Sequence, residues 1–154
     1  MNQAGQLPAI EHLIPHQPPM RLLDKIVSAD DERLTASATL KPNCPFWTPQ
    51  GVPACIGLEY LGQAAAAFFS VYSQRAEEQK DPSATEPRPG MFIASRSYES
   101  TIGFFPTKRT LLIEVAPQSQ VSAAGLVKFT GTLSDAESSQ LFAKGDISVY
   151  LPPA

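Results

Sequence analysis

The residues best suited to acid–base chemistry near neutral pH are the two histidines of this 154-residue chain, His12 and His16. His16 lies in the segment IPHQPPM, residues 14–20, whose prolines fix the backbone on both sides of the ring. A neutral imidazole on such a preorganised loop is suited to act as a general base. The alternative is an ordinary histidine in a polar turn. His12 has no such framing, and we expect it at the surface.

Glu59 is a carboxylate within the most hydrophobic stretch of the chain, CIGLEYLGQAAAAFF, residues 55–69. Because burial of a carboxylate is costly, we expect desolvation to raise the pKa of Glu59, as a general acid requires. Gln63 follows four residues later on the same helical face, where its amide can hydrogen-bond the carboxyl group. The alternative is a structural glutamate that pairs with an arginine such as Arg96.

The start of the same helix is a third candidate feature. The N–H groups of Ala54, Cys55 and Ile56 are expected to lack intrahelical partners, and such donors can polarise a carbonyl or hold an oxyanion. A thiol at this position also has a lowered pKa, which makes Cys55 a candidate nucleophile in a pair with His16. The alternative, which we favour, is that Cys55 is a small apolar residue that lines a pocket.

The composition excludes several classes of function. Lys plus Arg number 12 and Asp plus Glu number 15, so a net charge of −3 without a basic run argues against nucleic-acid binding. Cys44 and Cys55 have no histidine pair nearby, so we expect no metal site. We find no signal peptide and no apolar run of the ~18–20 residues that span a bilayer. The expectation is one soluble cytoplasmic domain, residues 1–154, with free thiols.

Periodicity predicts a short helical turn at residues 8–13, one long helix and six strands. The four prolines of residues 41–54 predict a long, stiff loop without regular structure. Residues 55–79 lack proline and are apolar nearly all round, which is typical of a buried helix. The predicted strands are residues 22–28, 33–40, 91–97, 110–118, 121–134 and 140–150. One helix and six strands indicate an α+β fold, with the helix on one face of an antiparallel sheet.

Two motifs together resemble a known enzyme family. LIPHQPPMRLLDK, residues 13–25, resembles the opening of the 3-hydroxyacyl-[acyl-carrier-protein] dehydratases. PACIGLEYLGQ, residues 53–63, is similar to the second motif of that family, Pro-Gly-x-x-x-x-Asp/Glu-x-x-x-Gln. The forms PHxPPMRLLD and GVPAxxGxEYxxQA look closest to the dehydratase-like proteins of aryl polyene biosynthesis. The resemblance covers nearly the whole chain and implies a hotdog fold, in which a six-stranded antiparallel sheet wraps one long buried helix.

The resemblance implies dehydration of a (3R)-3-hydroxyacyl thioester to the trans-2-enoyl thioester, in polyene or fatty acid synthesis. His16 would take the proton alpha to the carbonyl, the N–H of Ala54 would hold the enolate oxygen, and Glu59 would protonate the leaving hydroxyl. Cys55 and Gln63 would line the substrate site without reacting. No cofactor is implied.

Departures from the family pattern keep two other functions open. Residues 50–52, Gln-Gly-Val, stand where many members carry a second histidine and an aromatic residue, and Ala54 replaces the usual glycine. Gln17 stands where a basic residue commonly follows the histidine. One alternative is therefore a weakly active partner subunit of a second hotdog dehydratase. The other is a hotdog thioesterase in which Glu59 activates water, although that chemistry does not need the Pro-His loop.

The resemblance also implies partners. The substrate would arrive on an acidic acyl carrier protein through a phosphopantetheine arm, and docking would need local basic residues such as Arg96, Lys108 and Arg109. A homodimer, or a heterodimer with another hotdog subunit, is expected, because one site of the family usually draws its residues from two subunits. We therefore expect His16 to act opposite Glu59 of a second subunit.

Overall fold

The computed structural model describes residues 6–78, 90–119 and 122–152. Gln79 at the predicted helix end, Val121 at a predicted strand start, and residues 81–89 of a predicted loop lie outside these ranges. Within them, the chain forms one long helix, two 3-10 turns and nine strands.

Helix α1, Gly57–Glu78, follows directly on a 3-10 turn at Ala54–Ile56, so the predicted helix is confirmed. By length and a mean hydropathy of 1.3, the stretch Ala54–Arg75 is apolar enough to cross a membrane, and the expectation that no run reaches this length is wrong. However, 67% of its most apolar window is buried inside the fold. The apolar composition therefore reflects a core helix, because a helix that is apolar all round must be covered.

The nine strands are β1 Lys25–Ala29, β2 Leu34–Thr39, β3 Val52–Pro53, β4 Met91–Ala94, β5 Tyr98–Ser100, β6 Phe104–Phe105, β7 Thr110–Pro117, β8 Leu126–Asp135 and β9 Leu141–Tyr150. An antiparallel sheet runs in the order β1-β2-β7-β8-β9-β4, and β5 also pairs with β9. All six predicted strands are present in part. The strand predicted at residues 91–97 ends at Ala94 as β4, and β5 lies beyond its predicted end.

The short strands β3 and β6 pair with each other, so the prediction that residues 41–54 contain no regular structure is wrong at Val52 and Pro53. Proline is tolerated there because this two-stranded ribbon has free edges. Gly51, just before β3, has a φ of +119°, and a side chain at this position would collide with the carbonyl oxygen of Phe105. The ribbon holds the start of α1 against the segment before β7.

The core lies between α1 and the inner face of the sheet. Alternate residues of β7 and β8 point towards the helix, and the fully buried ones include Ile113, Val115 and Phe129. The rings of Phe68 and Phe69 on α1 meet Phe129 edge to face, with centroids 5.6 and 5.1 Å apart. This period-two burial is the pattern expected for a sheet covered on one face.

The N-terminal segment packs on α1 before the first strand begins. A 3-10 turn at Ile10–His12 confirms the predicted helical turn, and Ile10, Leu13 and Ile14 are buried. The hydroxyl of Ser70 on α1 donates a hydrogen bond to the carbonyl of Leu13 at 2.5 Å. These contacts hold residues 14–20, the histidine loop, against the surface of α1.

Candidate active site

His16 and Glu59 meet in the fold, with His16 Nε2 3.5 Å from Glu59 Oε1. Their side chains are 31% and 43% exposed, so the pair is accessible from solvent. His16 Nδ1 is buried and has no hydrogen-bond partner among the described residues. Nε2 is therefore the ring nitrogen that faces the carboxylate. Such a pair can accept a proton at one atom and donate one at the other.

Glu59 is less buried than its sequence context suggests. The helical turn that carries it faces the N-terminal segment, whereas the neighbouring Tyr60 and Leu61 are buried in the core. The expectation of a buried, desolvated carboxyl group is therefore wrong. Glu59 contacts His16 and Gln63. Arg96, the alternative partner, lies between β4 and β5, where its backbone N–H donates to Asp146.

Gln63 joins the histidine loop to the helix. Its side chain is 1% exposed, and its oxygen accepts the N–H of Leu22 at 2.9 Å. Its Nε2 donates to the carbonyl of Met20 at 2.8 Å and to Glu59 Oε1 at 3.0 Å. The predicted hydrogen bond to Glu59 is therefore present. Because Gln63 has almost no surface to offer a substrate, it supports the site instead of lining it.

The expectation that one site draws these residues from two subunits stays a prediction, whereas the structure brings the histidine and the carboxylate of the same chain together. The physical reason is the attachment of the N-terminal segment to α1. Gln63 binds both Met20 and Leu22 beyond the histidine, and Ser70 binds Leu13 before it. His16 is held between these two attachments on its own helix.

The start of the helix differs from the expected oxyanion site. The N–H of Ala54 donates to the carbonyl of Gly103 at 3.0 Å, so it is not free to hold an enolate oxygen, and the predicted role is wrong. The Ala54 carbonyl accepts the hydroxyl of Tyr98 and the N–H of Gly57. Among the described residues, the N–H of Cys55 makes no backbone hydrogen bond outside its own helical element, which makes it the candidate donor of this turn.

The side chain of Cys55 is exposed at this turn. The structure pairs the imidazole of His16 with Glu59 and not with a thiol, so the arrangement of a nucleophilic Cys/His pair is absent from the described contacts. Cys44 is partly buried in the long loop, where desolvation raises the pKa of its thiol. Across the described ranges, no three His, Cys, Asp or Glu side chains are grouped closely enough to hold a metal ion.

A model of the family described as ApeP dehydratase, ApeP-like, matches residues 8–154 of the chain. The chain belongs to the ApeP dehydratase family. The match contains both motifs on which the predicted resemblance rests, and that prediction is confirmed. A comparison with curated proteins gives no match.

Solved structures agree on the fold. The dehydratase heterocomplex ApeI:P from Xenorhabdus doucetiae is 20% identical, with a TM-score of 0.78 over 96% of this chain and 93% of that chain. A hypothetical thioesterase with coenzyme A from Streptococcus pneumoniae is 8% identical, with a TM-score of 0.60 over 83% and 84%. The E. coli PaaI protein from the phenylacetic acid degradation operon is 11% identical, with a TM-score of 0.57 over 81% and 80%. The predicted hotdog fold is confirmed.

In this ApeP family member, the three predicted docking residues differ from one another in whether their charge is already paired. Arg109 pairs with the buried carboxylate of Asp135 and, at 3.2 Å, with Glu137, so its guanidinium is already engaged. Arg96 and Lys108 make no ion pair within the part of the chain that the structure describes. They stay predictions as carrier-protein contacts.

Tyr98 and Gly103 are the neighbours of the site that sequence reasoning missed. Tyr98 contacts Ala54 across 44 residues, and no local pattern announces such a contact. The one sequence feature that could have indicated this contact is Gly57, because a glycine near the start of a helix allows another element to pack closely. Burial raises the pKa of Tyr98 to about 12, with the nearby Cys55 thiol as a second cause.

Proposed function

We propose that this ApeP family member dehydrates (3R)-3-hydroxyacyl chains on an acyl carrier protein to trans-2-enoyl chains, in synthesis of the aryl polyene type. The observation that carries the proposal is the 3.5 Å approach of His16 Nε2 to Glu59 Oε1. Elimination of water from a 3-hydroxyacyl thioester needs one group to take the α proton and another to protonate the leaving hydroxyl. Family membership supplies the reaction class, and the pair supplies the two groups.

The short distance between the two groups also closes the catalytic cycle. The proposed elimination requires the form of the pair in which the imidazole of His16 is neutral and the carboxyl group of Glu59 carries the proton. His16 takes the α proton as Glu59 gives its proton to the departing hydroxyl, which leaves as water. The imidazolium and carboxylate that remain are 3.5 Å apart between Nε2 and Oε1, so the proton can pass directly from His16 to Glu59 and restore the starting state.

The α proton of a thioester is a weak acid, so its removal needs a donor for the developing enolate oxygen. We assign this role to the N–H of Cys55, because the N–H of Ala54 is occupied by Gly103. Cys55 lies in the turn that leads directly into α1, four residues before the carboxyl group of Glu59.

A second hotdog subunit is the expected structural partner. β4 is an edge strand of the sheet, and its residues Met91, Phe92 and Ile93 are exposed apolar side chains. An unpaired apolar edge favours strand addition by another chain. The neighbouring ApeI:P structure is a heterocomplex, which supports a heterodimer. The free thiols Cys44 and Cys55 fit a reducing cytoplasm.

The second candidate function is that of a weakly active subunit whose partner performs most of the dehydration. Two observations favour it: the N–H of Ala54 is engaged with Gly103, and the ApeI:P neighbour pairs two different proteins. Under this hypothesis, the chain would stabilise its partner and contribute little turnover alone.

The test is a mass-spectrometric assay of a 3-hydroxyacyl carrier protein with the purified chain, alone and with a co-purified hotdog partner. Loss of one water by the chain alone supports the dehydratase proposal. Turnover that appears only with the partner supports the second candidate. Release of the free acid would contradict both and assign a thioesterase.

A further inference from the structure

Tyr98 occupies a slot that two glycines leave open. A methyl group on Gly57 of α1 would lie 1.9 Å from the Tyr98 hydroxyl, and one on Gly145 of β9 would lie 2.9 Å from the Tyr98 ring. Gly145 is also the β9 residue that pairs with Tyr98 of β5. Both the helix and the sheet therefore have a glycine where the Tyr98 side chain lies between them.

The hydroxyl in that slot fixes one peptide group. Tyr98 Oη donates to the carbonyl of Ala54 at 2.5 Å, and the same oxygen accepts the N–H of Gly57. The N–H of Ala54, in the preceding peptide, is held by Gly103. The peptide between Ala54 and Cys55 is trans, so its N–H points away from its carbonyl and hence away from Tyr98.

We propose that Tyr98 is a positioning residue for the dehydration proposed above, acting through the peptide between Ala54 and Cys55. By holding the Ala54 carbonyl, the hydroxyl keeps the Cys55 N–H turned outward as a donor for the enolate oxygen. Donation to the carbonyl also polarises the peptide, which strengthens its N–H as a donor. This inference rests on the proposed function, because the enolate forms only if the chain removes an α proton.

The environment of Tyr98 suits this role over a wide pH range. Burial raises the pKa of the phenol to about 12, so the group keeps its proton and remains a donor under physiological conditions. The ring is half-buried at the start of β5, between Gly57 of α1 and Gly145 of β9.

The test is Tyr98→Phe, which removes one oxygen and keeps the ring in its slot. We expect kcat for the 3-hydroxyacyl carrier protein to fall about tenfold or more, because a misaligned oxyanion donor weakens transition-state stabilisation. KM should change less than about twofold, since the donor acts mainly on the enolate. Tyr72→Phe is the matched control, because Tyr72 is exposed on α1 and its hydroxyl makes no hydrogen bond within the part of the chain that the structure describes. It should keep the wild-type kcat.

Thermal unfolding of Tyr98→Phe and the wild type separates positioning from folding. A kcat loss in a variant that is fully folded at the assay temperature supports the inference. Unchanged kcat, or a loss that matches the unfolded fraction, would overturn it while leaving the dehydratase proposal intact. No turnover by the wild type, alone or with its partner, would refute the dehydratase proposal and this inference together.

Discussion

The backbone N–H of Leu22 donates a 2.9 Å hydrogen bond to the side-chain oxygen of Gln63, 41 residues away. The two N–H groups of the same amide go to Met20 and Glu59. All the donors of this buried side chain are thus used, and its acceptor is occupied. The histidine loop and the carboxylate share one support, so the geometry of the candidate site depends on Gln63.

Replacing Gln63 with methionine, which has a similar volume, should destabilise the protein by about 3 kcal/mol. The change leaves the N–H of Leu22 and the carbonyl of Met20 buried without their partner, and each unsatisfied group costs about 1–3 kcal/mol. Urea unfolding measures the loss. Gln74→Met is the control, because Gln74 is only partly buried and its side chain makes no hydrogen bond within the described residues. Equal midpoints for the two variants would contradict the supporting role.

His16→Ala and Glu59→Gln should each lower the rate of water loss by at least about 100-fold, since each removes one of the two proton-transfer groups. Both variants should stay folded, because these side chains are partly exposed. His12→Ala is the matched control, as His12 is exposed and its ring approaches Glu11 at 3.7 Å, away from the pair of His16 and Glu59. Wild-type turnover by His16→Ala would eliminate the assigned base.

Asp135→Asn should lower the melting temperature at pH 7 by about 5 °C or more, because it breaks a buried ion pair with Arg109. The Ser138 hydroxyl, then Arg109 and the Glu137 N–H, lower the pKa of Asp135 below its ordinary value. A lowered folded-state pKa contributes stability above about pH 4 and loses it as the pH falls through the folded-state pKa.

The acid dependence gives a second measurement on the same variant. The melting temperature of the wild type should fall more steeply below about pH 4 than that of Asp135→Asn, which has no carboxylate to protonate. Asp31→Asn is the control, because Asp31 is exposed and pairs with Arg75 at 3.8 Å across the surface. Parallel acid profiles for the wild type and Asp135→Asn would show that this carboxylate contributes nothing to acid sensitivity.

Gly131→Ala should destabilise the fold by about 2 kcal/mol through overpacking. The new methyl group would lie 2.4 Å from Leu61 of α1 and 3.1 Å from the carbonyl oxygen of Glu114, and Leu61 is fully buried. Gly103→Ala is the matched control, since nothing lies within 4 Å of the added atom. Urea midpoints that coincide would mean that the helix can move away from β8 without cost.

The sequence by itself determined the elements and the family. A helix that is apolar all round and strands with period-two alternation are local patterns, so α1 and the six main strands could be predicted within a few residues. The motifs around His16 and Glu59 are contiguous in sequence and identified the dehydratase family. The end of β4 at Ala94 and the separate strand β5 could not be predicted, because both pair with β9 and no local pattern marks the interruption between them.

The tertiary structure alone decided how the candidate site is assembled. Gln63 and Ser70 attach the histidine loop to its own helix, which puts His16 beside Glu59 within one chain. Gly103 takes the N–H of Ala54, and Tyr98 takes its carbonyl from 44 residues away. Whether a backbone donor or acceptor of the site is occupied depends on elements that are distant in sequence. No local sequence pattern contains that information.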